Sequence, residues 1–154
     1  MYTSYEKIYE NLLSKFRSYE IPVMTTDEVK EMLHDYFISA IAEFHVCRKD
    51  LSNRDDILER FEVELSDMEV EILCNYMLLE YLDATYIRTP SLLKVTLSSS
   101  DFNSYSPANM LDKLLSMHES LLKENETLLS RYAWLGAKEN KPTWGSGYKK
   151  SRIF

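Results

Sequence analysis

Apolar and polar positions along the chain repeat with helical spacing over most of its length. From Ser66 to Arg88, Val70, Leu73, Cys74, Met77, Leu78, Tyr81, Leu82 and Thr85 recur at i, i+3, i+4, i+7 for more than five turns, the spacing of one helix face. Ile72, Tyr76, Leu79 and Tyr86 widen that face beyond the needs of a surface helix, which predicts a central helix contacted from several sides. Ser66 and Glu69 form a capping box at its start, and Thr89-Pro90 ends it. Earlier in the chain, Tyr5, Ile8, Tyr9, Leu12, Leu13 and Phe16 mark a first helix from Thr3 to about Ser18, with Thr3 and Glu6 as its capping box and Ile21-Pro22 as its break. Thr25 and Glu28 open a second, with the stripe Val29, Met32, Leu33, Tyr36, Phe37, Ala40, Ile41, Phe44 and an end near Cys47-Arg48-Lys49. Between the second and central helices, Asp56 to Phe61 predicts a short helix with Ile57, Leu58 and Phe61 pointing inward.

Ser91 to Tyr105 lacks periodicity, and a connection of that length inside a compact domain is more often functional than idle. Its Phe102 and Tyr105 suit packing against something, such as a neighbouring subunit. Ser106-Pro107 then starts the last helix, with serine as N-cap and proline where a missing amide hydrogen costs nothing. That helix runs to about Trp134 and repeats every seven residues through Leu111, His118, Asn125 and Tyr132. Leu115, Leu122 and Leu129 fall between them, and Leu114, Leu121 and Leu128 thicken the seam. His118 and Asn125 are polar groups at seam positions, the kind that lower stability while fixing register or oligomeric state. Gly136 is expected to stop the helix. The expected fold is all-α: a bundle of four to five helices over residues 1–135, with a long loop before the last helix and an extended arm over 136–154.

Composition supports that reading. In 154 residues there are only three glycines and four prolines, and all three glycines follow residue 135, so the body lacks the breakers that a sandwich or barrel needs. Charge divides the chain in two. Beyond residue 135, Lys138, Lys141, Lys149, Lys150 and Arg152 oppose Glu139 alone, giving +4 and leaving −11 on the body from the total of −7. An acidic body is a poor surface for holding duplex DNA. The arm carries Trp144, Tyr148, Ile153 and Phe154 among its cations, the composition of a segment that orders on a partner. There is no apolar run of the ~18 residues that span a bilayer and no charged-then-apolar leader, so a reducing compartment and no membrane are expected. Cys47 and Cys74 lack CxxC partners and fit small buried hydrophobes. His34, His45 and His118 are scattered without metal-ligand spacing, and no nucleophile motif or phosphate-binding glycine loop occurs. No catalytic residue, cofactor or metal is expected.

Two segments, LSDMEVEILCNYMLLEYLDATYIRTPSLL and SSSDFNSYSPANMLDKLLSMHESLLKE, together resemble the small helical head–tail connector (adaptor, or head-completion) proteins of tailed bacteriophages. The opening MYTSYEKIYENLLSKF fits the same pattern. The likeness covers most of residues 1–134 and is most specific at Asp101 to Asn109, DF-x-x-YSPAN. It implies a homo-oligomeric ring, often a dodecamer, seated beneath the portal protein in the virion neck. Such a ring extends the channel through which DNA passes and presents a surface to the next neck or tail-completion protein. It would be assembled in the host cytoplasm. Carried over by position, Asp101, Phe102, Tyr105, Ser106, Pro107 and Asn109 would form the loop and helix start that set contacts between subunits. The arm lies outside the likeness; by composition alone, Trp144, Tyr148, Lys149, Lys150, Arg152, Ile153 and Phe154 are its docking residues. Two other readings compete. One is a small helical adaptor or regulator that binds a single protein, as monomer or dimer, through the seam of the last helix. The other is a nucleic-acid-binding protein using Lys149, Lys150 and Arg152.

Overall fold

The computed structural model describes residues 1–15, 25–87 and 107–139, with side chains for all of these except 86–87, 107–111 and 137–139. The order of elements is β1 (Thr3–Ser4), α1 (Tyr5–Lys15), α2 (Thr26–Glu43), β2 (Arg54–Asp55), β3 (Arg60–Phe61), α3 (Asp67–Leu82), a π-helical turn (Asp83–Ile87) and α4 (Pro107–Glu139). The fold is mostly helical. Its centre is α3, which packs against α1, α2 and α4. A helix covered on three sides needs no polar face, and Ile72, Leu73 and Cys74, each about 100° round from the last, are fully buried together with Met77.

Both later capping boxes form as the sequence predicts. Ser66 accepts from the Glu69 amide while the Glu69 carboxylate takes the Ser66 amide, and Thr25 and Glu28 make the same pair on α2. The box expected at Thr3 does not form. Ser4 Oγ accepts from the Glu6 amide at 3.1 Å, whereas Thr3 Oγ1 is turned inward and accepts from the Leu65 amide at 2.8 Å. Thr3 is spent on a contact across the fold because its backbone lies in a strand.

That strand is the main departure from an all-α fold. A three-stranded antiparallel sheet, ordered β1-β3-β2, pairs Thr3 with Phe61 and Arg54 with Phe61. The short helix expected over Asp56 to Phe61 is instead the turn and second strand of this β-hairpin. Asp55 Oδ1 accepts from the amides of Ile57 and Leu58, at 2.9 and 3.0 Å, which bends the chain away from helix. Glu59 then adopts φ 48°, a left-handed conformation that closes the turn. Phe61 points inward as expected, but Ile57 is 92% exposed and Leu58 56% exposed.

Two helix ends also differ from expectation. α2 stops at Glu43, short of Cys47-Arg48-Lys49, where the buried Phe44 keeps its amide on Ala40 O but turns out of the helical region at φ −81°, ψ 44°. α4 runs through Gly136 to Glu139. A Cβ at Gly136 would lie 3.0 Å from Arg48 Cδ, so a larger residue there would require the Arg48 side chain to shift. The aromatic core joins α1, α2 and the hairpin: the Tyr5 ring lies 4.5 Å from Phe37 and 5.3 Å from Phe61, distances suited to tilted and edge contacts.

Candidate assembly interface

Among the residues expected to carry function, only the seam lies wholly within the described part of the protein. Asp101, Phe102, Tyr105 and Ser106, with Trp144, Tyr148, Lys149, Lys150, Arg152, Ile153 and Phe154, fall outside the described residues. Pro107 is the first residue of α4, as predicted, and Asn109 lies in its first turn.

The seam is built inside one chain. α4 runs antiparallel to α3: Tyr132 meets Glu69, Asn125 meets Asn75, and Leu121 packs against Tyr81 and Leu82. Asn125 is 1% exposed, and its Oδ1 accepts from Asn75 Nδ2 at 3.4 Å. Asn75 Oδ1 in turn accepts from Lys15 Nζ at 3.3 Å, and Lys15 pairs with Glu71 at the protein surface. Asn125 Nδ2 is buried without a partner among the described residues. His118, one heptad earlier, is half-buried. Leu114, Leu121, Leu128 and Leu129 are half-buried; Leu121 packs against Tyr81 and Leu82, and Leu128 and Leu129 against the main core. Leu115 and Leu122 sit on one flank of the seam, 38% and 39% exposed, while the exposed Met117 and Leu135 lie round the other side of the helix. Heptad spacing admits either leucine set, and towards its C-terminal end α4 uses both, since Leu128 and Leu129 each pack against the core.

At the other end of the seam lies a polar node that helical periodicity does not reveal. Tyr132 Oη donates to Glu69 Oε1 at 2.7 Å and accepts from the Arg48 amide at 2.7 Å. The Arg48 guanidinium stacks 4.1 Å above the same ring. Glu69, 2% exposed, is fully engaged, because its other oxygen accepts from the Ser66 amide and hydroxyl. Burial, and then the hydrogen bond to Glu69, push the Tyr132 phenol well above its ordinary range. The Cys47 thiol beside it is also raised, chiefly by burial, and the Cys74 thiol rises to about 12 for the same reason. Neither thiol is activated for nucleophilic attack at neutral pH. The only sequence signal for this node is the pair of roles already visible, Glu69 as cap and Tyr132 on the seam.

No group of three metal-ligating side chains occurs among the described residues. Two open hollows of about 430 and 340 Å³ lie near Lys49, one edged by Lys7 and Asp67 and the other by Ile41, Phe44 and Leu51. Among the described residues no helix is long and apolar enough to cross a membrane. No protein-family model, curated protein or solved structure matches the chain. Its candidate interface therefore rests on its own surface: the apolar flank of α4 and the Ile57-Leu58 turn.

Proposed function

We propose that this chain is a structural head–tail connector of a tailed phage. In this reading it assembles as a homo-oligomeric ring below the portal, extends the DNA channel and receives the next neck or tail-completion protein. It works in the virion neck and performs no catalysis. The reading rests on the DF-x-x-YSPAN element and the helices around it, Ser66 to Arg88 and Pro107 onward. The observation that supports it best is the combination of a locked helical body with large apolar side chains left on its outside, on α4 and at Ile57 and Leu58. An isolated chain gains nothing from such exposure, whereas a subunit of an assembly covers it. The acidic body suits a channel wall that lets DNA pass without gripping it.

The competing adaptor reading places its partner on the seam of the last helix. The described seam is covered by α3 of the same chain, so on that reading the partner would lie on the exposed side chains of α4, such as Leu115 and Leu122.

Co-expression with a portal protein from the same genome tests the connector reading. The expected result is a ring of defined stoichiometry on the portal, seen as a discrete high mass under native conditions. A chain that stays monomeric or dimeric with its portal present overturns it. The arm is tested by removing residues 140–154, which leaves α4 intact to Glu139. Portal attachment is expected to be lost, and unchanged attachment refutes the arm as docking element.

A further inference from the structure

The side-chain amides of Asn75 on α3 and Asn125 on α4 meet in the core, and both residues are buried. Such a pair has two hydrogen-bonding directions, because each amide carries an acceptor oxygen and a donor nitrogen and can turn end for end. Packing alone does not choose between them, since oxygen and nitrogen occupy nearly the same space. The choice has to come from a neighbour that only donates or only accepts.

Lys15, the last residue of α1, is such a neighbour. An ammonium has three donors and no acceptor, and Lys15 Nζ lies 3.3 Å from Asn75 while Glu71 holds it in place at the surface. Asn75 therefore turns Oδ1 to Lys15 and Nδ2 to Asn125. Asn125 answers with Oδ1 at 3.4 Å, and its own Nδ2 is left over, buried without a partner among the described residues. The opposite direction would give Asn125 Nδ2 an acceptor on Asn75, but it would set the Asn75 amide hydrogens against the ammonium. The orphaned donor between α3 and α4 is thus the consequence of a positive charge at the end of α1.

We propose that the Asn75–Asn125 pair is a two-state element whose direction is selected by the charge on Lys15, so that a change at the surface of α1 reverses the buried contact between α3 and α4. Without that charge nothing holds Asn75 Oδ1 toward α1. The pair then turns over: Asn125 Nδ2 donates to Asn75 Oδ1, and Asn75 Nδ2 faces the side on which the Glu71 carboxylate lies. One substitution separates the two directions. Asn75→Asp places an acceptor on both sides of the position, one oxygen for Lys15 and one for Asn125, whose amide turns to donate. A buried carboxylate without partners is strongly destabilising, whereas this one has a cation and an amide to receive it.

Thermal melting of four full-length chains at neutral pH tests the proposal: native, Lys15→Met, Asn75→Asp, and the two changes together. Each single variant is expected to melt within about 4 °C of the native chain, and the double variant at least about 8 °C lower than the sum of the singles, the mark of a carboxylate that has lost its cation. Additive shifts overturn it, and so does an Asn75→Asp chain that melts as low as the double variant. Nuclear Overhauser effects read the direction itself. In the native chain the Asn75 side-chain amide protons are expected nearer Asn125 than residue 15, and in Lys15→Met the order is expected to reverse, with the Asn125 amide protons turned to Asn75. Native Asn75 amide protons on the α1 side, or the same order in both chains, overturns the selection by Lys15.

Discussion

Asn125 shows how the protein tolerates a local cost. Its Nδ2 is buried without an acceptor among the described residues, while its Oδ1 satisfies Asn75 Nδ2. Asn125→Leu alone removes one orphaned donor and creates another on Asn75, so the single change is expected to leave stability nearly unchanged or lower it. Replacing both, Asn75→Leu with Asn125→Leu, removes both amides from the core, and the pair is expected to be more stable than the sum of the singles by ~1–3 kcal/mol. Urea unfolding of the four members of that cycle checks it, and additive singles refute the coupling. Tyr132→Phe keeps the ring under Arg48 but strips Glu69 Oε1 and the Arg48 amide of their partner, with an expected loss of ~1–3 kcal/mol. The pH dependence follows from the same hydroxyl. Tyr132, Tyr5 and Tyr9 are all raised above the ordinary value of 10.0, mainly by burial. The unfolded chain therefore loses these protons first, and the stability they confer is complete below pH 10 and falls as the pH rises beyond it. The slope is expected to approach about 1.4 kcal/mol per pH unit for each tyrosine. Denaturant melts from pH 8 to 11.5 check this, and Tyr132→Phe should flatten the slope.

Among the elements, α3 and the hairpin differ in how they are specified. The two capping boxes look alike in sequence, Ser66 with Glu69 and Thr25 with Glu28, but differ in surroundings. Thr25 and Glu28 are exposed, while Glu69 is buried and also anchors Tyr132. Thr25→Ala should cost about 1 kcal/mol, the ordinary loss of an N-cap. Ser66→Ala should cost more, because it leaves a buried carboxylate with one donor fewer. Thermal melts of the two variants settle the order, and equal losses contradict the shared role of Glu69. The hairpin rests on Asp55, whose carboxylate is used by the backbone of its own turn. The Asp56 to Phe61 stretch has helix-like apolar spacing, and only the pairing of Phe61 with Thr3 and Arg54 makes it a strand.

For the molecule as a whole, the division between body and arm has a consequence for stability as well as docking. Removing residues 140–154 is expected to leave the melting temperature of the body within about 2 °C, since the truncation keeps the contacts of Tyr132 with Glu69 and of Gly136 with Arg48. Cutting at residue 136 instead removes Gly136 and the last turn of α4, and should lower it. Equal melting of both truncations contradicts a structural role for that turn.

The spacing of apolar residues was enough to place α1, α2, α3 and α4, both working caps and the central position of α3, because helical periodicity and capping are set by neighbours within four residues. The start of α4 at Pro107 was likewise local. What the tertiary structure decided is everything that depends on residues far apart in the chain. Thr3 serves Leu65 instead of its own helix, Phe61 joins a strand, Asn125 turns toward Asn75, and Tyr132 closes on Glu69 and Arg48. Each of those partners lies from about fifty to eighty-five residues away, and a pattern with a period of three or four residues carries no information at that separation.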